Sequence, residues 1–237
     1  MTSINLSTRK PLFRVVSQFP VDLHHDEIVV AVGGLGIFAG TPLSSGERER
    51  AASMSSEEAR LRFTAARRLL RSVASRWCPI SASELEILPD EHGKPRLATT
   101  DPIHFSITHS SGCVAVAFSR SEVGLDLECV REVDAPALAR RFFSAEEAIA
   151  CESSADHELF FRLWTCREAA IKGDGRGLSN LLGVTRVASW NRGIGDPMEI
   201  LIEEESWHTI PWKVDTETHA AVAFRKKPSL ISWCDLR

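Results

Sequence analysis

Hydrophobic and polar positions along this chain of 237 residues switch between two periods. Val123, Leu125 and Leu127 alternate with Gly124, Asp126 and Glu128, which predicts a strand with the two acids on one face. Phe63, Ala66, Leu70, Val73 and Trp77 recur at i, i+3, i+7, i+10 and i+14, one apolar stripe of a helix that Pro79 ends. A further helix is predicted over about 156–172, capped by Asp156 and closed by Gly173, with Trp164, Glu168 and Lys172 stacked at i, i+4, i+8. Ser144-Ala145-Glu146-Glu147 is a capping box that starts a helix reaching about Cys151, and a short helix is expected near 47–53. Apolar runs predict strands at 28–32, 85–88, 103–108 and 113–118, the last two joined by a Ser110-Ser111-Gly112 turn, and short strands ending near 220–224. Residues 1–27 carry no periodic signal.

Composition narrows the class. Hydrophobic residues make up 43% and charged residues 25%, which excludes a disordered or fibrous chain. A net charge of −4 argues against a nucleic-acid binder, although Arg60, Arg62, Arg67, Arg68, Arg71 and Arg76 crowd one stretch. The six cysteines have no spacing that suits zinc and imply a reducing compartment. The longest apolar run, 28–39, is too short to span a bilayer and contains three glycines, so the expectation is a cytoplasmic protein with no membrane segment. Gly33-Gly34-Leu35-Gly36 lacks the dinucleotide spacing, and Gly173-Asp174-Gly175-Arg176-Gly177 lacks the lysine of a P-loop.

The chemistry concentrates in two segments. Asp126 and Glu128 on one strand face have Cα atoms about 6 to 7 Å apart, close enough to share a cation, and Gly124 on the same face leaves room for a ligand. Glu168 and Lys172 point the same way from their helix. Brought together, three carboxylates supply the hard oxygen ligands that Mg²⁺ prefers, and the ammonium meets a phosphate. Each segment also has a plainer reading: a solvated edge strand for the first, an ordinary helix ion pair for the second.

Gly124-Leu125-Asp126-Leu127-Glu128 followed by Trp164-Thr165-Cys166-Arg167-Glu168-Ala169-Ala170-Ile171-Lys172 resembles the signature of the Sfp-type 4′-phosphopantetheinyl transferases. Three upstream segments resemble that family in the same order: the arginine-rich run from Glu58 to Arg71, His92-Gly93-Lys94-Pro95, and Phe105-Ser106-Ile107-Thr108-His109-Ser110. Together they span about residues 57–180. The resemblance implies an α+β fold of two similar halves, 1–120 and 121–237, with the active site in the cleft between them. Ala221-Val222-Ala223-Phe224 repeats Ala115-Val116-Ala117-Phe118, a faint echo of such halves.

It also implies an activity: Mg²⁺-dependent transfer of the phosphopantetheine arm of coenzyme A to a serine of an apo acyl- or peptidyl-carrier protein. Asp126, Glu128 and Glu168 are then the metal ligands, and Glu168 and Lys172 the catalytic pair. Arg62, Lys94, Thr108, His109, Asp126 and Lys172 contact coenzyme A, with Thr108 standing where the family commonly has serine. Arg167 replaces the family's usual lysine before the glutamate, and Arg48 or Arg50 are candidates for its upstream basic residues. Such a chain is expected to act as a monomer. The rival readings are a non-catalytic binding module of the same fold and a different Mg²⁺-dependent phosphotransferase.

Overall fold

The computed structural model describes residues 12–110, 112–152, 157–189 and 196–237. Among the described residues, two five-stranded sheets, one small hairpin and six α-helices make a mixed α+β architecture. The first sheet has the order β1 (Leu12–Val16), β12 (Leu230–Asp235), β2 (Glu27–Gly34), β6 (Cys113–Ser119), β5 (His104–Ser110). The second runs β7 (Val123–Cys129), β11 (Thr218–Phe224), β10 (Glu205–Lys213), β9 (Met198–Ile202), β8 (Thr185–Ser189). The helices are α1 (Ser45–Ala52), α2 (Glu57–Ala74), α3 (Ala135–Phe142), α4 (Ala145–Glu152), α5 (Glu158–Asp174) and α6 (Leu178–Leu181), and β3 (Ile87–Pro89) pairs with β4 (Pro95–Leu97).

Strand alternation sorts the apolar residues into three cores. Val29, Ala31, Val114, Val116 and Phe118 turn toward α2, where Ala65, Leu69, Leu70 and Val73 meet them. Ile28, Val30, Ala115 and Ala117 turn the other way and meet Val123, Leu125, Leu127 and Val222 of the second sheet. The far side of that sheet packs on Phe161, Leu163, Cys166, Ala169 and Ala170 of α5. Because Val123, Leu125 and Leu127 face the first sheet, the intervening Gly124, Asp126 and Glu128 face α5. This alternation delivers the strand acids to the helix acid.

Several expectations need correction. Residues 12–16 form β1, parallel to β12, although no periodicity marks them. The chain does not end its strands near 224: β12 inserts between β1 and β2, so a strand from beyond residue 120 completes the first sheet and crosses the expected boundary between halves. The identical tetrapeptides serve opposite faces. In β6 the valine and phenylalanine face the helix, whereas in β11 the two alanines do.

Gly124 makes room for helix rather than ligand. A Cβ there would lie 1.8 Å from the Ala169 carbonyl oxygen and 2.6 Å from the Gly173 nitrogen, so glycine is what lets α5 lie directly on β7. Helix α5 runs one residue beyond Gly173, to Asp174, and is capped by Gly175, whose φ of 94° suits glycine and whose N–H bonds the Ile171 carbonyl. Gly173 instead faces the Trp207 ring. The cap expected at Asp156 lies outside the described residues.

The arginine-rich helix is not uniformly solvated. Arg71 is 1% exposed, donating from Nε to Glu47 at 2.8 Å and from Nη1 to the Ala82 and Leu85 carbonyls. Glu47 is also the N3 member of the α1 capping box with Ser44, so one carboxylate both starts α1 and clamps it to α2. The second half uses the same device. Glu147 closes the α4 capping box with Ser144 and clamps Arg167 of α5.

Candidate active site

Asp126, Glu128 and Glu168 each offer an oxygen, all within 4.8 Å of one another, and they are the one such group among the described residues. Asp126 is 1% exposed, and its Oδ2 is buried with no hydrogen-bond partner among the described residues. Its Oδ1 accepts from Lys172 Nζ at 2.5 Å and from the Thr108 hydroxyl at 3.1 Å. Lys172 Nζ lies 3.9 Å from Glu168, and Glu128 is held by Arg131 at 2.8 Å. Three crowded acids are met by one ammonium and one guanidinium, leaving excess negative charge on the strand–helix face.

The electrostatics express that excess. Burial, then the nearby Asp126 charge, pushes the Glu168 carboxyl up to about 7, while the Lys172 ammonium pulls the other way. Glu128 is raised by the same two causes, with Arg131 opposing. For Lys172 burial favours the neutral amine, but Asp126 and Glu168 outweigh it and hold the ammonium above its ordinary value. A buried, unpartnered carboxylate oxygen among raised carboxyls calls for a cation, and an all-oxygen donor set suits Mg²⁺.

Beside the acids opens a cavity of about 610 Å³, walled by α1, α2, the β3–β4 turn, β5 and the exit of α5. Its cationic lining is Arg50, Arg62, Arg67, Lys94 and Lys172, with His109 near the acids. Arg62 lies at the wall, paired with Glu58 one turn back on its own helix. Lys94 spans to α5, donating to the Gly173 carbonyl at 2.6 Å, and burial, then Arg96, brings its ammonium down to about 8. His109 is held below its ordinary value by partial burial first, then by Lys172 and Arg62.

Two of these cations complete the pattern that the sequence left open. Arg50 and Arg67 stand over the Phe63 ring, each with its guanidinium carbon 5.3 Å from the centroid. Arg67 has a buried Nη1 with no partner among the described residues, and its Nε is 3.8 Å from Glu47. Arg48 bonds the Leu43 carbonyl instead and does not line the cavity. The spacing of Phe63 and Arg67 places them one turn apart on α2, but only the docking of α1 brings Arg50 to the same ring.

Thr108 and Arg167 both bond away from the cavity. Thr108 is buried, its hydroxyl turned to Asp126 and Lys172 rather than to the cavity. Arg167 does not line the cavity. It is fully buried behind α5, donating to Glu147 at 2.5 Å and to the Thr185 carbonyl, with its guanidinium 4.6 Å from the Phe143 centroid. All six cysteines are free thiols, and Cys166, in the α5 core, is pushed up to about 12 by burial, which makes it chemically inert. Among the described residues no helix is long and apolar enough to cross a membrane.

Comparison with known proteins meets this geometry. A family model described as the 4′-phosphopantetheinyl transferase superfamily matches residues 122–232, a span that contains the three acids and Lys172. The chain is 35% identical over 159 residues to 4′-phosphopantetheinyl transferase Sfp of Bacillus subtilis, covering 61% of this chain and 70% of that protein. It is 35% identical over 148 residues to HetI of Nostoc sp., covering 59% of this chain and 62% of the relative, slightly under two thirds. It is 32% identical over 162 residues to AcpT of Escherichia coli, covering 65% of this chain and 77% of that protein.

Proposed function

Since this chain belongs to the 4′-phosphopantetheinyl transferase superfamily, we propose that it transfers the phosphopantetheine arm of coenzyme A to a serine of an apo acyl- or peptidyl-carrier protein. The observation that carries this reading is the meeting of three acids with a large basic cavity at one strand–helix junction. The acids suit a cation and the cavity suits a polyphosphate, whereas a module that only held a carrier protein would have no need of buried, unpartnered carboxylate oxygen. We further propose that the enzyme works as a monomer in the cytoplasm.

Asp126, Glu128 and Glu168 would hold Mg²⁺, and Asp126 Oδ2 is a buried oxygen with a free coordination direction. When bound, the ion supplies charge neutralisation at the pyrophosphate. Arg50, Arg62 and Arg67 bind the phosphates at the α1–α2 end of the cavity, and Lys94, His109 and Lys172 those at the α5 end. The serine oxygen forms a bond to the phosphorus that carries the pantetheine arm. The bond from that phosphorus to the bridging oxygen breaks, and adenosine 3′,5′-bisphosphate leaves. Glu168, raised by burial and by Asp126, takes the serine proton directly or through a water. Lys172, kept protonated by Asp126 and Glu168, steadies the charge that moves to the leaving phosphate.

Incubation of the chain with coenzyme A, Mg²⁺ and a panel of apo carrier domains, followed by intact mass measurement, is expected to show a carrier gaining the phosphopantetheine arm. No mass gain on any carrier, with coenzyme A still bound, would favour the binding module.

Lys94 gives the binding step a pH signature. With its ammonium at about 8 in the free protein, it is charged at pH 7 and largely neutral at pH 9. A bound phosphate raises that value, so protons are taken up on binding between the two pH values. Coenzyme A affinity is expected to fall about tenfold from pH 7 to 9, the worth of one hydrogen bond to a charged group. Lys94→Met should flatten the profile and abolish proton uptake in calorimetry with buffers of different ionisation enthalpy. A parent protein with a flat profile would remove Lys94 from the phosphate contacts.

A further inference from the structure

The two sheets are joined along β5 and β7 without a backbone ladder. Each strand is the last of its sheet, and β7 donates three N–H groups to hydroxyls of β5: Leu125 to Ser106 Oγ at 3.0 Å, Leu127 to Thr108 Oγ1 at 3.3 Å, and Cys129 to Ser110 Oγ at 3.0 Å. Hydroxyls at every second residue match N–H groups at every second residue. A slip by one position would set Ile107 and His109 against the same donors, so the hydroxyls fix the register of one sheet on the other.

Thr108 has two further bonds that Ser106 and Ser110 lack. Its hydroxyl donates to Asp126 Oδ1 at 3.1 Å and accepts from Lys172 Nζ at 3.1 Å. A hydroxyl offers one proton and two lone pairs, and here Asp126 takes the proton while Leu127 and Lys172 take the lone pairs. The side chain is buried and has no hydrogen-bonding capacity left for a molecule in the cavity.

We infer that Thr108 is a positioning residue that acts through Asp126: it fixes Oδ1 together with Lys172, and so holds the unpartnered Oδ2 ready for a cation shared with Glu128 and Glu168. The inference rests on reading the three acids as a cation site. Removing the hydroxyl takes a donor from Asp126 and an acceptor from Lys172 at once. The carboxylate is then free to turn, and the ammonium can draw it away from the other acids. Loss of such an outer partner typically lowers metal affinity about 10- to 100-fold.

Mn²⁺ binding to the full chain, followed by the electron paramagnetic resonance of the free ion with no coenzyme A or carrier present, tests this directly. Thr108→Val, which keeps the shape, should bind Mn²⁺ about 10- to 100-fold more weakly than the parent. Thr108→Ser, which keeps the hydroxyl, should stay within about threefold. Ser110→Ala, which removes a seam bond but touches neither Asp126 nor Lys172, should also stay within about threefold, separating positioning from seam strength. Thermal melting accompanies each variant, and Thr108→Ala replaces the valine variant if that one does not fold. Parent-like affinity in Thr108→Val overturns the inference alone, as does serine or Ser110→Ala binding as weakly as valine. A parent protein that binds no Mn²⁺ overturns the cation site and the inference together.

Discussion

Asp126→Asn is expected to lower kcat/KM for carrier modification about a thousandfold, equivalent to roughly 4 kcal/mol of transition-state stabilisation. The size follows from how much meets at this carboxylate. Its Oδ1 anchors Lys172 and Thr108, its buried Oδ2 is the one without a partner, and its charge helps to raise both Glu128 and Glu168. Asparagine keeps the shape and can keep one oxygen toward Lys172, but it presents an amide in place of a charged oxygen. Two secondary signs distinguish this from general damage. The Glu168 carboxyl should titrate lower once the neighbouring charge is gone, and the melting curve should stay cooperative. Steady-state kinetics with a carrier identified by mass, together with calorimetry, measures both. Activity within tenfold of the parent would remove Asp126 from the metal ligands.

Arg167→Met is expected to damage the fold rather than the chemistry, destabilising the protein by about 3 to 5 kcal/mol, the usual result of breaking a buried ion pair from one side. Glu147 would keep the bonds from the Ser144 and Val187 N–H groups but lose its cation in a buried place, and the Thr185 carbonyl would lose a donor. For a chain of this size the melting temperature should fall on the order of 10 °C. At a temperature where the variant is folded, KM for coenzyme A should match the parent, because the guanidinium faces Glu147 and Phe143 rather than the cavity. A raised KM with unchanged melting would instead place Arg167 at the phosphate site. Of the two substitutions, one is expected to spare stability and the other to spare binding, although their positions flank one helix.

The strand and helix that carry the acids were legible because both are strictly periodic. Period two put Asp126 and Glu128 on one face, and i, i+4 spacing stacked Glu168 and Lys172. Strand β1 was not legible, since a short parallel edge strand draws its stability from β12, more than 200 residues away. The place of Arg167 was not legible, because successive helix residues point about 100° apart and its partner Glu147 belongs to another helix. The partner of Arg71 was not legible, since Glu47 belongs to a different helix. Gly124 was assigned open space on the ligand side, but that face belongs to α5.

What the sequence determined by itself is the inventory: an α+β chain, three acids and an ammonium on two regular elements, basic residues upstream, and a resemblance strong enough to name a family. Only the tertiary structure decided which residues share a space. It set α5 on β7 through Gly124, brought Arg50 to the Phe63 ring beside Arg67, turned Thr108 inward to Asp126, and paired Arg167 with Glu147 of another helix. The reason is physical. Periodicity is set by neighbouring backbone and reports only the face on which a side chain stands, whereas a partner is chosen by packing between elements distant in sequence, where burial decides which charges must be matched.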